Sequence, residues 1–292
     1  TLGDAHTLAE LVAINNAIDG TITLNDYTVA LSGSSEDVAA ALAGSFTVGY
    51  TGTATLTDNH TLAELVAINN GTSGTITLNN YTISLDGSSS DVAAALAGTF
   101  ADTYSGTATL NDNHTLAELV AINNGTSGNI TLKAGTGPAV ALTGSTADVK
   151  AALAGNVGTV YSGDIVLNDA NGTAIAATDI TTIESDTTGT ITVSNNINLT
   201  GTSAEIAAAV ADVNTFSGTP TATLGDAHTL AELVAINNAL SGNITLNSNA
   251  VALTGSTADI KAALAGNVGG VYTGDIVLND ANGTGIAAAD IT

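Results

Sequence analysis

The string His60-Thr61-Leu62-Ala63-Glu64-Leu65-Val66-Ala67-Ile68-Asn69-Asn70 also begins at His6, His114 and His228, without one change. The first three copies start 54 residues apart, and the fourth starts 114 further on, which is two units of 57. A chain that repeats at such a period is a tandem array, and the favoured reading is a continuous stack in which each unit completes its neighbour's core.

Within the string, Thr61 and Glu64 form a capping box. The threonine hydroxyl accepts from the Glu64 N–H while the carboxylate reaches back to the Thr61 N–H. Leu62, Leu65 and Val66 then fall on one stripe, with Ile68 beside it and Glu64 opposite, and Asn70-Gly71 offers a left-handed stop. The helix is two to three turns long, too short to stand alone in water, and must be held by packing.

Aligning the strand-end leucines Leu2, Leu56, Leu110, Leu167, Leu224 and Leu278 divides the chain into six units. They are residues 1–55 (truncated at its start), 56–109, 110–166, a divergent unit 167–223, 224–277, and the start of a second divergent unit, 278–292. In the second unit Thr53-Ala54-Thr55-Leu56 reads as a strand that leads into the helix. Thr75-Ile76-Thr77-Leu78 reads as a second strand, Asn79-Asn80 as a two-residue hairpin turn, and Tyr81-Thr82-Ile83-Ser84-Leu85 as a third strand. Ser88, with Asp91 three residues on, opens a second, Ala-rich helix with its own capping box, and Gly98 ends it. The same opening recurs at Ser34, Ser145, Thr202 and Ser256. The unit is β-α-β-β-α, and both halves open on related Ser-Gly-Thr strings, so the half-period is near 27 residues. From Leu167, Asn168-Asp169-Ala170-Asn171-Gly172 replaces the His-led start. A strand over Thr173–Ala177 and a helix from Thr178 follow, and the last unit does the same from Asn279. The chain starts and stops inside repeats, as a window on a longer protein would. The expected fold is an α/β tandem array, a solenoid-like stack of these units; the alternative is a string of small α+β domains.

Composition narrows the chemistry. Three Lys/Arg against 27 Asp/Glu give a net charge of −24, which excludes the basic footprint needed for nucleic acid or an anionic membrane surface. Cysteine is absent, so there is no disulfide framework or thiol chemistry. No apolar run reaches membrane-spanning length, and no signal peptide is visible. Only 10% of residues are charged, so the polar surface is built from Thr, Ser and Asn.

Several residue types recur once per unit. His6, His60, His114 and His228 sit before a helix cap, where a metal or pH-sensing ladder is one role and packing back onto the helix the other. Asp58, Asp112, Asp169, Asp226 and Asp280, with Asn171 and Asn282, are the candidate Ca²⁺ ligands, because calcium takes six to eight oxygens; an Asx-turn between strand and helix accounts for the aspartates equally well. Tyr50, Tyr104, Tyr161, Phe216 and Tyr272 suggest an internal aromatic ladder. Asn15, Asn69, Asn123 and Asn237, near the helix ends, are placed to bond freed carbonyls. No catalytic ordering of Ser, His and Asp, phosphate loop or H-E-x-x-H string occurs, so no cofactor is expected.

The strings T-L-A-E-L-V-A-I-N-N, S-G-T-I-T-L and G-S-T-A-D-V-K-A-A-L-A-G resemble tandem repeats of giant extracellular and cell-surface fibrous proteins of cyanobacteria and other marine bacteria. The resemblance implies a secreted or cell-surface fibrous protein and carries no catalytic residue. The expected function is structural: a filament, sheath or surface layer whose partner is further copies of itself, aided by divalent cations. The alternatives are an adhesin stalk and a calcium- or glycan-binding module.

Overall fold

The computed structural model describes residues 1–133, 140–155 and 157–287. Among these the chain is mixed α/β, with ten helices and several small sheets in which every strand pairing is parallel. Helices α1 (Leu8–Ala17), α2 (Ser35–Leu42), α3 (Leu62–Gly71), α4 (Ser89–Leu96) and α5 (Leu116–Gly125) come first. Helices α6 (Thr146–Leu153), α7 (Ala177–Ser185), α8 (Ser203–Asp212), α9 (Leu230–Ala239) and α10 (Thr257–Leu264) follow. Two compact units result: Thr1–Val140 with Ala151–Val160, and Ala141–Lys150 with Tyr161–Thr292. No helix among the described residues is long and apolar enough to cross a membrane. Pro138 lies outside the described residues, and the strand and helix expected from Asn279 run out of them after residue 287.

In the first unit Leu31–Gly33, Ala54–Leu56 and Ile76–Thr77 form one three-stranded sheet, and Leu85–Gly87, Ala108–Leu110 and Ile130–Thr131 another. Leu31 faces Ala54 and Ala54 faces Ile76, so partners come from successive turns of the chain. The helices keep the same order, α1 against α2, α2 against α3, α3 against α4 and α4 against α5. In the second unit Leu142–Gly144, Ile165–Leu167, Ile191–Val193 and Thr215–Phe216 form a four-stranded sheet. Ala174–Ala176, Asn198–Gly201, Thr221–Leu224 and Ile244–Thr245 form another, and Leu253–Gly255 pairs with Ile276–Leu278. There α7 packs on α8, α8 on α9 and α9 on α10. Helices α1 to α5 begin at residues 8, 35, 62, 89 and 116, a spacing of 27 residues throughout.

The order β-α-β-β-α is present from Ala54 to Leu96, but the hairpin expected at Asn79-Asn80 is not. Ile76–Thr77 pairs with Ala54–Leu56, whereas Leu85–Gly87 pairs with Ala108–Leu110. A two-residue hairpin of this kind needs positive φ, and no non-glycine residue among those described has it. Instead the Asn80 side-chain oxygen accepts from the Thr82 N–H at 2.9 Å, and the Leu78 N–H donates to the Tyr81 hydroxyl at 3.1 Å. The corner sends the chain into a different sheet.

The capping box forms as the sequence predicts: Thr61 accepts from the Glu64 N–H, and the Glu64 carboxylate accepts from the Thr61 N–H at 2.7 Å. The left-handed stop does not form. Helix α3 runs through Gly71 and ends when Thr72 turns extended, its N–H donating to the Ile68 carbonyl. Gly71 is small for another reason, since a Cβ there would collide with Leu42 of the preceding turn. The Ser88 helix carries only half a box: Ser88 accepts from the Asp91 N–H, while the Asp91 carboxylate accepts from the Ser88 hydroxyl at 2.8 Å. Aspartate is one methylene too short to reach the cap's own N–H, whereas Glu205 closes a full box on Thr202.

The buried stripe is also narrower than expected. Leu65 and Ile68 are fully buried, whereas Leu62 and Val66 are half-buried. Leu62 instead covers Gly87, where a Cβ would strike its side chain. Glu64 faces the preceding turn and not solvent alone, because the Ser35 hydroxyl donates to its carboxylate at 3.0 Å.

Candidate functional site

The recurring polar residues all act between turns. Three of the His-led loops deliver the imidazole to a tyrosine 44 residues further on. The His6, His60 and His228 Nε2 atoms lie 2.9, 3.1 and 2.9 Å from the hydroxyls of Tyr50, Tyr104 and Tyr272. Each tyrosine hydroxyl also donates to a carbonyl of the turn in between, Val29, Ile83 or Val251, at 2.6 Å. A phenol has one proton to give. Since the carbonyl takes it, the imidazole must be the donor, which fixes the neutral Nε2–H tautomer. One hydroxyl therefore pins three successive turns. The rings meet edge-on or tilted, with His6 5.8 Å and Phe46 5.8 Å from Tyr50 between centroids. Tyr50 and Tyr104 thus each meet a His and a Phe of their own unit, and Tyr272 meets His228, ring contacts within a unit that the expected internal ladder does not include.

Burial governs these groups. Tyr50 and Tyr104 are 2% and 1% exposed, and burial pushes the Tyr50 phenol up to about 12. His6, His60, His114 and His228 are all buried, and desolvation holds each below the ordinary imidazole value despite nearby carboxylates.

The asparagines reach forward to the next helix. Asn69 Nδ2 donates to the Ala94 and Ala95 carbonyls, both at 2.9 Å, and Asn123 Nδ2 to Ala151 and Ala154 at 2.7 Å. Asn15 and Asn237 do the same to Ala40 and Ala262. Carbonyls in the last turn of a helix lack the regular intrahelical donor, and the asparagine amides supply one, joined at Ala94 by the Ala97 N–H at 3.4 Å.

The aspartates do not make the Asx-turns anticipated. Asp58, Asp112 and Asp226 each accept, at 2.7 Å, from the N–H of Ser35, Ser89 and Ser203, the first residues of α2, α4 and α8. This satisfies an orphan N–H at the helix start and sets negative charge at the positive end of the helix dipole. The Ser89 N–H accordingly holds Asp112 below the usual carboxylate range. Asp169 and Asp280 accept from both the N–H and the hydroxyl of Thr146 and Thr257. The divergent unit has Ile175 where the others carry a glutamate, so the threonine hydroxyl turns to the aspartate instead. Asn171 accepts from the Asn196 N–H at 2.9 Å, and Asn282 is exposed. Asp169 and Asn171 thus serve different partners. Among the described residues, no group of three or more His, Cys, Asp or Glu is placed to hold a metal ion.

Glycine permits the turns to approach. A Cβ on Gly106 would overlap the Ile83 carbonyl that receives the Tyr104 proton, and one on Gly74 or Gly128 would overlap Gly52 or Gly106. The Ser-Gly-Thr strings are therefore contact points between backbones.

The His–Tyr link is absent from the sequence reading, though a signal for it exists. The divergent unit that lacks the histidine carries Phe216 where the others have tyrosine. Hydroxyl and imidazole disappear together.

The chain matches no known family model, no curated protein and no solved structure.

Proposed function

We propose that this is an extracellular structural repeat protein, a solenoid-like stack of helix-backed turns that associates with further copies of itself into a filament, sheath or surface layer, without catalysis. One observation carries this reading. The imidazoles, phenols, carboxamides and carboxylates that resemble site chemistry recur from unit to unit and tie one turn to the next. An enzyme concentrates such groups at one place, whereas a fibre distributes them along its length. The resemblance to giant surface proteins supports the extracellular setting.

Self-association follows from the surface. Thr, Ala and Val surfaces with few charges are cheap to desolvate, and weak contacts between identical patches add along an array. The −24 charge opposes contact between copies, so assembly strengthens with salt or divalent cations, which screen it. The test is electron microscopy of the purified chain at low ionic strength, in concentrated NaCl and with Ca²⁺. Filaments or sheets that appear with salt support the proposal. Single particles in all three conditions overturn it in favour of an adhesin stalk. Assembly with Ca²⁺ alone would make the aspartates Asp58, Asp112, Asp169, Asp226 and Asp280 cation sites.

A further inference from the structure

Three of the buried histidines, His6, His60 and His228, have a side that the tyrosine link leaves unsatisfied. His6, His60 and His228 are 5%, 3% and 3% exposed, and the Nδ1 of each is buried without a hydrogen-bond partner. The tautomer fixed by the tyrosine makes that atom the basic nitrogen. It is the only place on the ring where a proton can add.

We propose that these histidines make the protein acid-labile: below neutral pH their protonation at Nδ1 expels the rings, withdraws the tyrosine pins, and lets neighbouring turns come apart together. A proton on Nδ1 creates an N–H without an acceptor and a charge without water, and burying either is costly. The ring escapes by swinging into solvent, which removes its Nε2–H from the tyrosine hydroxyl. Because that hydroxyl also holds the intermediate turn through Val29, Ile83 or Val251, losing one imidazole loosens three turns.

The groups that face each ring set the balance. His60 is flanked by Glu64 and Asp58 on its own loop and helix, and Tyr104 meets it from two turns on. His228 has Glu232 and Asp226 in the same places, with Tyr272 opposite. His114 has Glu118 and Asp112. His6 has Glu10 on its own helix, Asp26 from the next turn, and Tyr50. These carboxylates favour the imidazolium, but desolvation outweighs them in all four cases. The folded-state values lie below the ordinary 6.5 that the unfolded chain retains. The unfolded state therefore binds more protons between those values. Stability present above about 6.5 is lost as pH falls through the folded values. The three copies with this geometry steepen the loss. The device rests on the link geometry and does not depend on self-assembly.

The experiment is a pH titration of the whole chain labelled with ¹⁵N-histidine, with hydrogen exchange measured at each pH. Near neutrality the rings should show the Nε2–H tautomer. They should stay neutral through the ordinary imidazole range and then protonate together, at the pH where backbone protection is lost. Rings that titrate one by one near 6.5 while protection persists would overturn the proposal. The variant with His6, His60, His114 and His228 all changed to Gln keeps an N–H donor for the tyrosine but cannot titrate. Its acid transition should move to lower pH and become shallower, because only carboxylates remain to drive it; an unchanged midpoint would also overturn the proposal. Should the variant fail to fold, the titration of the unaltered chain decides alone.

Discussion

The Ser35 hydroxyl donates to the Glu64 carboxylate at 3.0 Å, and that same carboxylate closes the capping box of its own helix on Thr61. A local helix-start signal thereby becomes a bond between turns. Ser89 with Glu118 and Ser203 with Glu232 repeat it at 3.1 and 2.8 Å.

Glu64→Ala should therefore cost more than a cap alone. Caps contribute about 0.5–2 kcal/mol, and a lost buried hydrogen bond adds about 1 kcal/mol. Glu10 caps its helix through Thr7 in the same way, and among the described residues no serine hydroxyl reaches its carboxylate. Glu10→Ala should be the milder change. Urea midpoints of the two variants compare them directly, and equal shifts would remove the role assigned to Ser35.

Gly106→Ala places a methyl against the Ile83 carbonyl, where the tyrosine pin arrives. Overpacking of this kind costs about 1–3 kcal/mol and sometimes more. Gly3→Ala meets nothing within 4 Å and should be neutral. Thermal melts of the two variants test the contact.

How much of this is legible from sequence follows the range of each interaction. The Thr61–Glu64 box needs four adjacent residues and was readable in full. Asn79-Asn80 looks like a hairpin for equally local reasons, yet strand partners are chosen turns away, and Ile76 finds Ala54 rather than its neighbour in sequence. Asp58 reads equally well as a calcium ligand or a turn former, because its partner, Ser35, lies 23 residues back. Gly71 reads as a left-handed stop because sequence shows what glycine permits and not that Leu42 fills the space beside it. The asparagine bonds to carbonyls were foreseeable, since helix ends always leave carbonyls over.

Asn69→Asp should be worse than Asn69→Ala. Alanine leaves the Ala94 and Ala95 carbonyls without their donor, at about 1–3 kcal/mol. A carboxylate sets negative charge against two carbonyl oxygens as well. The gap between the variants should narrow at low pH, when the aspartate protonates and regains a donor; denaturant unfolding at two pH values measures it.

Acid should act on the carboxylates separately from the histidines. The Ser89 N–H holds Asp112 low, and the Thr115 N–H holds Glu118 low. Their folded values lie below the unfolded ones, so their stabilisation is complete above the unfolded values and is lost as pH falls through the folded ones. Asp112→Asn should flatten this lower part of the stability–pH curve and, because the Asp112 charge favours the His114 imidazolium, also move the titration of that one ring further down.

The central claim is that turns of two alternating kinds interlock, so that one full period, and not half of one, is the smallest removable piece. Deleting residues 56–109 removes one period and brings like turns together, whereas deleting half of that stretch sets unlike turns against each other and strands their links. Cooperative denaturant unfolding of both deletion variants, followed by circular dichroism, is the direct measurement. The account predicts a native-like transition for the full-period deletion, and loss of cooperativity with aggregation for the half-period one. Indistinguishable transitions in the two would contradict it.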